Sequence, residues 1–361
     1  MARIVTVYER SHRQFRPVEM GYIRWLKISE ALARCGHDVD LATNERFDGR
    51  KNTVPIRMGE NLRRVSLSDV RWASYDVVKT LFDLGFHTLE SHGGTGHPFI
   101  ISKLGSVVDR RDRDGIYFYG PYRERLYATQ ERINETSRYV TLLSEPARDL
   151  WEALFGPKGN ILLVPGAADR QIPPLGADPF PSGDAARVLF AGNIYSLDTQ
   201  GEANAVLSDK LNRLGRLLRA RGCRLYVIGA GDVRRLEPES VMHLGAVPHD
   251  HAWSYFGHAH VGVVVAAGPF MHNNESSKIY HYLRAGLPVV SEAGFPNDHV
   301  VRESGLGVVV TNGDLDGMAR QVEEAARTDW DREAGVRYIL EHHTWDKRVE
   351  PYDRLLRTHF A

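Results

Sequence analysis

"NNESSKIYHYLRAGLPVVSEAG", residues 273–294, joins a short helix signal to a strand signal. Ser276 or Asn274 can cap the helix, Gly286 suits the position just past its end, and Pro288 stops it from continuing. "PVVSE" (288–292) then reads as a strand. The helix expected over 276–285 is about three turns long, and Lys278 stands in its first turn, where a cation opposes the macrodipole. Lys278, His281 and Tyr282 fall at i, i+3 and i+4 on one expected polar face, with Ile279 and Leu283 turned to the core. A strip led by a lysine beside unbonded helix amides meets the needs of a phosphate or diphosphate. The same residues would also make an ordinary solvated face, and on their own they do not choose.

Outward from this stretch, β-branched apolar runs alternate with amphipathic helical stretches, the pattern of parallel α/β domains. Strands are expected at 3–9, 37–43, 62–67, 75–82, 98–105, 138–144 and 160–166, with helices at 18–36, 121–136 and 145–155. "QIPPLGADPFPSGDAA" (171–186) has four prolines and no periodicity, and reads as a semi-rigid linker. The alternation restarts at 187–193 and runs through a helix around 207–221, strands at 224–231, 241–247, 260–267, 288–292 and 306–313, and helices at 315–327 and from 330 onward. The expected fold is α/β: two Rossmann-like doubly wound domains facing across a cleft. The first spans 1–170 and the second 187–340, with 341–361 as a closing helix. Ligands of such sheets bind outside the carboxyl ends of the strands.

The chain has 361 residues, 42% of them hydrophobic and 25% charged, the balance of a globular protein too long for one ordinary core. Residues 1–170 hold 26 Lys and Arg against 22 Asp and Glu, an excess too mild for a nucleic-acid footprint. Arg110, Arg111 and Arg113 leave room for a basic loop that meets an anionic acceptor or a membrane surface. Cys35 and Cys223 are far apart and read as small buried hydrophobes of a reducing compartment. His249 and His251, placed in a loop, do not make a metal motif, so no metal is expected. No apolar run approaches a membrane span and no signal-peptide core is visible, so the expected location is cytoplasmic, with peripheral membrane contact left open.

"SSKIYHYLRAGLPVV" resembles the lysine-led segment of GT-B glycosyltransferases of the "glycosyl transferases group 1" type. Further resemblances follow in order: "GHDVDLAT" (36–43), "SRYVTLLSEPARDLWEALFGPKGNILLVPGAAD" (137–169), "RVLFAGNI" (187–194), "RLYVIGAGD" (224–232), "VMHLGAVPHDHAWSYFGHAHVGVVVA" (241–266), "VVRESGLGVVVTNGD" (300–314) and "HTWDKRVEPYDRLL" (343–356). The resemblance implies a metal-independent hexosyltransferase that moves a sugar from a nucleoside-diphosphate donor to a hydroxyl on a glycan, lipid-linked saccharide or small metabolite. The sugar nucleotide is a co-substrate, and no cofactor is implied. Lys278 would hold the donor diphosphate with the amides of Ser276 and Ser277. Gly229 and Gly231 would let the backbone pass close to the donor, with Gly192 and Asn193 beside them, and Ala246 and Val247 would line the nucleobase pocket. The closing helix would return to the first domain.

The departures are as specific. The family's ribose-binding glutamate falls on His281, and its earlier glutamate on Asn273, with Glu275 nearby but out of register. The arginine and lysine that follow the second domain's first strand fall on Asn193 and Gln200. A weaker diphosphate clamp is implied, or one completed by Arg284, Arg13 or Arg16. An inverting member needs a first-domain base, for which Asp109 and His92, the latter in "ESHGGTGH" (90–97), are the candidates. A retaining member needs none. Two rivals stay open: a nucleotide-sugar epimerase of the same architecture, and a non-catalytic subunit that binds a nucleotide or glycan.

Overall fold

The computed structural model describes residues 1–8, 20–43, 46–47, 50–51, 56–111, 120–183 and 185–360. They form two compact units. The first comprises residues 1–111 and 120–165 with the last helix, and the second comprises Gly166–Thr344.

The first unit runs β1 (Arg3–Val7), α1 (Met20–Arg34), β2 (Asp38–Thr43), the short strands β3 (Arg46–Phe47), β4 (Arg50–Lys51) and β5 (Ile56–Arg57), β6 (Leu62–Ser66), β7 (Val77–Leu81), α2 (Phe82–Ser91), β8 (Ile100–Lys103), α3 (Gly120–Thr136), β9 (Tyr139–Leu142), α4 (Glu145–Phe155) and β10 (Ile161–Leu163). Its main sheet has the order β10-β9-β8-β7-β1-β2-β6-β5, parallel throughout except for β5. Because helices cover such a sheet on both faces, its strands are apolar on both sides. Val5, Val7, Val39, Leu41, Val77 and Val78 are all fully buried.

The second unit runs β11 (Ala186–Ala191), α5 (Gly201–Arg219), β12 (Cys223–Ile228), β13 (Val241–His243), α6 (His249–His258), β14 (Val261–Val264), α7 (Ser277–Arg284), β15 (Val289–Glu292), α8 (His299–Glu303), β16 (Gly307–Val310), α9 (Leu315–Arg327) and α10 (Arg332–His342). Its sheet is wholly parallel, in the order β13-β12-β11-β14-β15-β16. The last helix, α11 (Trp345–Phe360), belongs to the first unit.

In each sheet the strand order reverses once, between β1 and β7 in the first unit and between β11 and β14 in the second. Those switch points are where open α/β sheets bind ligands.

Three differences from the sequence reading have physical causes. Residues 171–186 are not a free spacer. Phe180 is buried against Tyr226 and Tyr255, with ring centroids at 4.9 and 5.3 Å, and Asp178 pairs with Arg187 at 2.6 Å, so this proline-rich segment is part of the second unit. His249 and His251 lie in α6 and not in a loop, because Pro248 opens a helix there. Cys35 is half-exposed at the end of α1, while Cys223 is buried as expected.

Candidate functional site

The loops after β11 and β14 frame the second unit's switch point, and α7 starts at the end of the loop after β14. Lys278 lies in the first turn of α7, half-buried, with its Nζ 4.8 Å from the centre of the Phe190 ring. It has no hydrogen bond or ion pair among the described residues. Burial alone pushes its pKa down to about 8, since taking an ammonium out of water favours its neutral form.

Gly192 explains how the side chain fits. A Cβ there would come within 2.6 Å of Lys278 Cε and 2.9 Å of Nζ, so only glycine lets the lysine lie against the end of β11. Tyr282, one turn further along α7, fixes the helix to the same strand end. Its hydroxyl oxygen accepts the Ala191 N–H at 2.6 Å, and the hydroxyl donates to the Leu189 carbonyl at 3.3 Å.

The opening of α7 is prepared in the same way. Ser276 holds the N-cap position but makes no side-chain cap bond, and its Oγ is buried without a partner. The Asn274 Oδ1 is likewise buried without a partner. The amides of Ser277 and Lys278 open the helix and have no intrahelical carbonyl within reach. An ammonium, a hydroxyl and two helix amides thus stand at one end of α7 with no anion beside them among the described residues, an arrangement that suits a phosphate or diphosphate.

Several expected donor contacts are used elsewhere. The Ser276 amide donates to Asn297 Oδ1 at 2.9 Å, and Asn297 Nδ2 returns a bond to the Ser276 carbonyl at 2.9 Å, so that amide is occupied. Glu275 turns inward, accepting the Gly166 N–H at 2.5 Å and the Tyr280 hydroxyl at 2.9 Å. His281 and Tyr282 are 3% and 0% exposed, so the polar strip expected on α7 does not exist beyond Lys278. The His281 ring packs against His249 and Trp253, with centroids at 5.2 and 5.6 Å, and His249 bonds Asp169 at 2.9 Å. Arg284 cannot complete a clamp, because its Nε and Nη2 donate to the carbonyls of Asp169 and Arg170 at 3.0 and 2.7 Å. Arg13, Arg16 and Arg113 lie outside the described residues.

The glycines after β12 serve the chain itself. Gly229 and Gly231 have φ of 146° and 125°, and a Cβ on either would collide with the carbonyl oxygen of Gly192 or Ile194. They let the loops after β11 and β12 touch. Asn193 and Ala246 are exposed, and Val247 is half-buried against the core.

In the first unit, Tyr8 follows β1 and Phe82 follows β7, at that sheet's own switch point. Their rings meet edge to face at 6.2 Å. Phe82 has a φ of 56°, a left-handed conformation that is strained for a bulky side chain and is concentrated at functional sites. Asp83 follows in the first turn of α2, half-buried, and its carboxylate has no partner among the described residues. Sequence reading passed over Asp83 because this segment looked like the end of a strand.

The two expected bases fare differently. Asp109 is gripped by its neighbour Arg111, whose Nη2 and Nε lie 2.9 and 3.1 Å from its oxygens, and this holds its pKa below the usual carboxylate value. A carboxylate stabilised in this way is a poor proton acceptor. His92 ends α2, where the Trp72 indole donates to its carbonyl at 2.9 Å, and this places it near the amino ends of the strands. Arg110 stacks on Tyr127 at 4.9 Å. Among the described residues there is no group of three or more His, Cys, Asp or Glu able to hold a metal, and no helix long and apolar enough to cross a membrane.

Residues 217–333 match the family described as "Glucosyltransferase 3-like, C-terminal domain". No curated protein matches the chain by sequence. Among solved structures, sucrose-phosphate synthase from Thermosynechococcus elongatus is similar with a TM-score of 0.71 at 14% identity, covering 99% of each chain. Anabaena HepE in complex with UDP-glucose is similar with a TM-score of 0.67 at 11% identity, over 99% of this chain and 100% of that one. WaaG, a glycosyltransferase of lipopolysaccharide biosynthesis, follows with a TM-score of 0.59 at 15% identity, over 99% and 100%. The fold of this chain is GT-B, that of glycosyltransferases, and its second unit carries the stretch that matches a glucosyltransferase domain.

Proposed function

We propose that this glycosyltransferase takes its sugar from a nucleoside-diphosphate donor whose diphosphate is held by Lys278, the Ser276 hydroxyl and the first amides of α7. The carrying observation is a half-buried ammonium at a helix N-terminus, at the switch point of the sheet, with no anion beside it. Charge that develops on the departing diphosphate is stabilised there by donors already in place. The match of 217–333 to a glucosyltransferase domain supports the reading, as does the UDP-glucose bound to the similar Anabaena protein.

The acceptor is a hydroxyl of a glycan, lipid-linked saccharide or small metabolite, met by the first unit's strand ends. Tyr8 and Phe82 offer ring surface there, and Asp83 offers an unmatched carboxylate for the acceptor hydroxyl. Asn193 and Gln200, which follow β11, carry no charge, so in this reading Lys278 is the cation that holds the diphosphate. An epimerase would need several carboxylates around the sugar, and Glu275, just before α7, is turned into the core.

Calorimetry with UDP, GDP, ADP and dTDP tests the reading. At least one should bind to the parent protein and lose at least about tenfold in affinity in Lys278→Ala. Absence of binding by all four, or equal binding by parent and variant, would overturn it. Transfer or hydrolysis from the matching sugar nucleotide then distinguishes an enzyme from a binding subunit.

A further inference from the structure

A cavity of about 560 Å³ lies on one face of the first unit's sheet, lined among others by Arg3, Asp40, Arg63, Ser66, Arg71 and Tyr75. Its origin is topological. The crossover from β6 to β7 is made of two single 3-10 turns, Leu67–Asp69 and Trp72–Ser74, where the crossovers β1–β2, β7–β8, β8–β9 and β9–β10 use α-helices. Two short turns do not fill the space that a helix would, and the strands beneath carry charge where a packed face would carry valines. The register pairs Asp40 on β2 with Val5 on β1 and Arg63 on β6, and Arg3 stands two residues before Val5, so Arg3, Asp40 and Arg63 share one face of the sheet with Val5, Ala42 and Val65.

Asp40 is buried and already satisfied. It accepts Arg63 Nε at 2.7 Å and the Tyr75 hydroxyl at 2.8 Å, with Arg3 Nη2 at 3.9 Å. Arg3 also stacks on the Tyr75 ring at 4.8 Å, which fixes its guanidinium at the wall. The donors left over are what matter. Both terminal nitrogens of Arg63, and the whole guanidinium of Arg71, have no hydrogen bond among the described residues. Ser66 and Ser68 add a pair of hydroxyls 3.0 Å apart. The acidic members are Asp40, already matched, and Asp69, exposed on the rim. Three guanidinium forks therefore surround a polar hollow of the size that holds a small ligand, with donor groups in excess of acceptors.

We propose that this cavity is a second ligand site that binds the phosphate or carboxylate of a small saccharide or related metabolite. Arg63 and Arg71 present paired N–H groups to the oxyanion, the geometry in which guanidinium recognises such groups best, and the serine hydroxyls and Tyr75 face the rest of the molecule. The site is separate from Lys278 and does not depend on the donor reading.

The test is calorimetry on the full chain at low salt with three probes: inorganic phosphate, glucose 6-phosphate and glucuronate. Arg71→Gln is the decisive variant, because the Arg71 side chain is exposed and bonded to nothing among the described residues, so its loss leaves the structure intact. Arg63→Gln is the second, read together with its melting curve. At least one probe should bind the parent and bind Arg71→Gln at least about tenfold more weakly. Tighter binding of glucose 6-phosphate than of phosphate identifies a sugar phosphate, tighter binding of glucuronate identifies a carboxylate, and phosphate alone identifies the free ion. If no probe binds, or Arg71→Gln binds as the parent does, or affinity disappears only in Lys278→Ala, the proposal is overturned.

Discussion

Two lysines, one in each unit, have lost part of their basicity for the same reason and with opposite meaning. Lys79, in the middle of β7, is 2% exposed, and burial pushes its pKa down to about 7. Lys278 is pushed down to about 8. Each lies over an aromatic ring, Tyr352 at 5.2 Å for Lys79 and Phe190 at 4.8 Å for Lys278, and neither has an anionic partner among the described residues. An unmatched buried ammonium costs stability in both places. The difference is access. Lys79 is covered by α11, whose Tyr352 is itself fully buried and bonded to Thr141 at 3.0 Å. Lys278 stands at the carboxyl ends of strands with a buried hydroxyl and orphan amides beside it, so a ligand can bring the anion it lacks. A neighbouring lysine shows a third solution: Lys103, equally buried, gives its Nζ to the Val164 carbonyl at 2.7 Å.

The sharpest way to break this contrast is to remove both charges in the same manner. Lys278→Met should reduce sugar transfer about 10²–10³-fold, the scale of losing one preorganised donor to a developing oxyanion, without lowering the melting temperature of the second unit. Unimpaired transfer would put the donor elsewhere.

Carboxylates of the first unit follow the same logic. Asp109 is matched at home by Arg111, whereas Asp83 is not. Asp83→Asn should lower turnover at least about tenfold and Asp109→Asn by less than about threefold. The reverse order in steady-state assays would restore Asp109 as the acceptor-side group.

Lys79→Met should stabilise the first unit by about 1–3 kcal/mol at neutral pH and leave turnover unchanged. The sign follows from proton binding. Between about pH 7 and the unfolded value near 10.5, the unfolded chain holds the lysine's proton more tightly, so the parent gains stability as pH rises. The advantage of the methionine variant should therefore shrink over that window in urea titrations. A constant or growing advantage would mean that the lysine has a partner which satisfies it.

Much of the fold was legible because parallel strands buried on both faces are continuous apolar runs, and their positions followed within a residue or two at most ends. α9 was read at Leu315–Arg327 without error, since Asp314 caps it and Arg327 closes it. α2 was missed because it opens on Phe82 in a left-handed conformation with no capping side chain. α6 was missed because its first turn is rich in histidine and follows a proline.

At the proposed site, the place of Lys278 in the first turn of a short helix was legible from the sequence. The fates of Glu275, His281 and Tyr282 were not. Five consecutive residues of α7, Ile279 through Leu283, are buried, so this helix has no outward face for periodicity to find, and only tertiary contacts reveal which polar groups are spent inside. The empty space beside β6 was equally silent, because it arises from what the crossover omits.

The central claim is that Lys278, its basicity lowered by burial, holds a donor diphosphate. Calorimetric titration of UDP at pH 8, repeated in buffers of different ionisation enthalpy, measures the protons taken up on binding. With a resting pKa of about 8, the account predicts uptake of roughly half a proton per UDP, abolished in Lys278→Met. Binding of UDP with no proton uptake, or the same uptake in the variant, would contradict it.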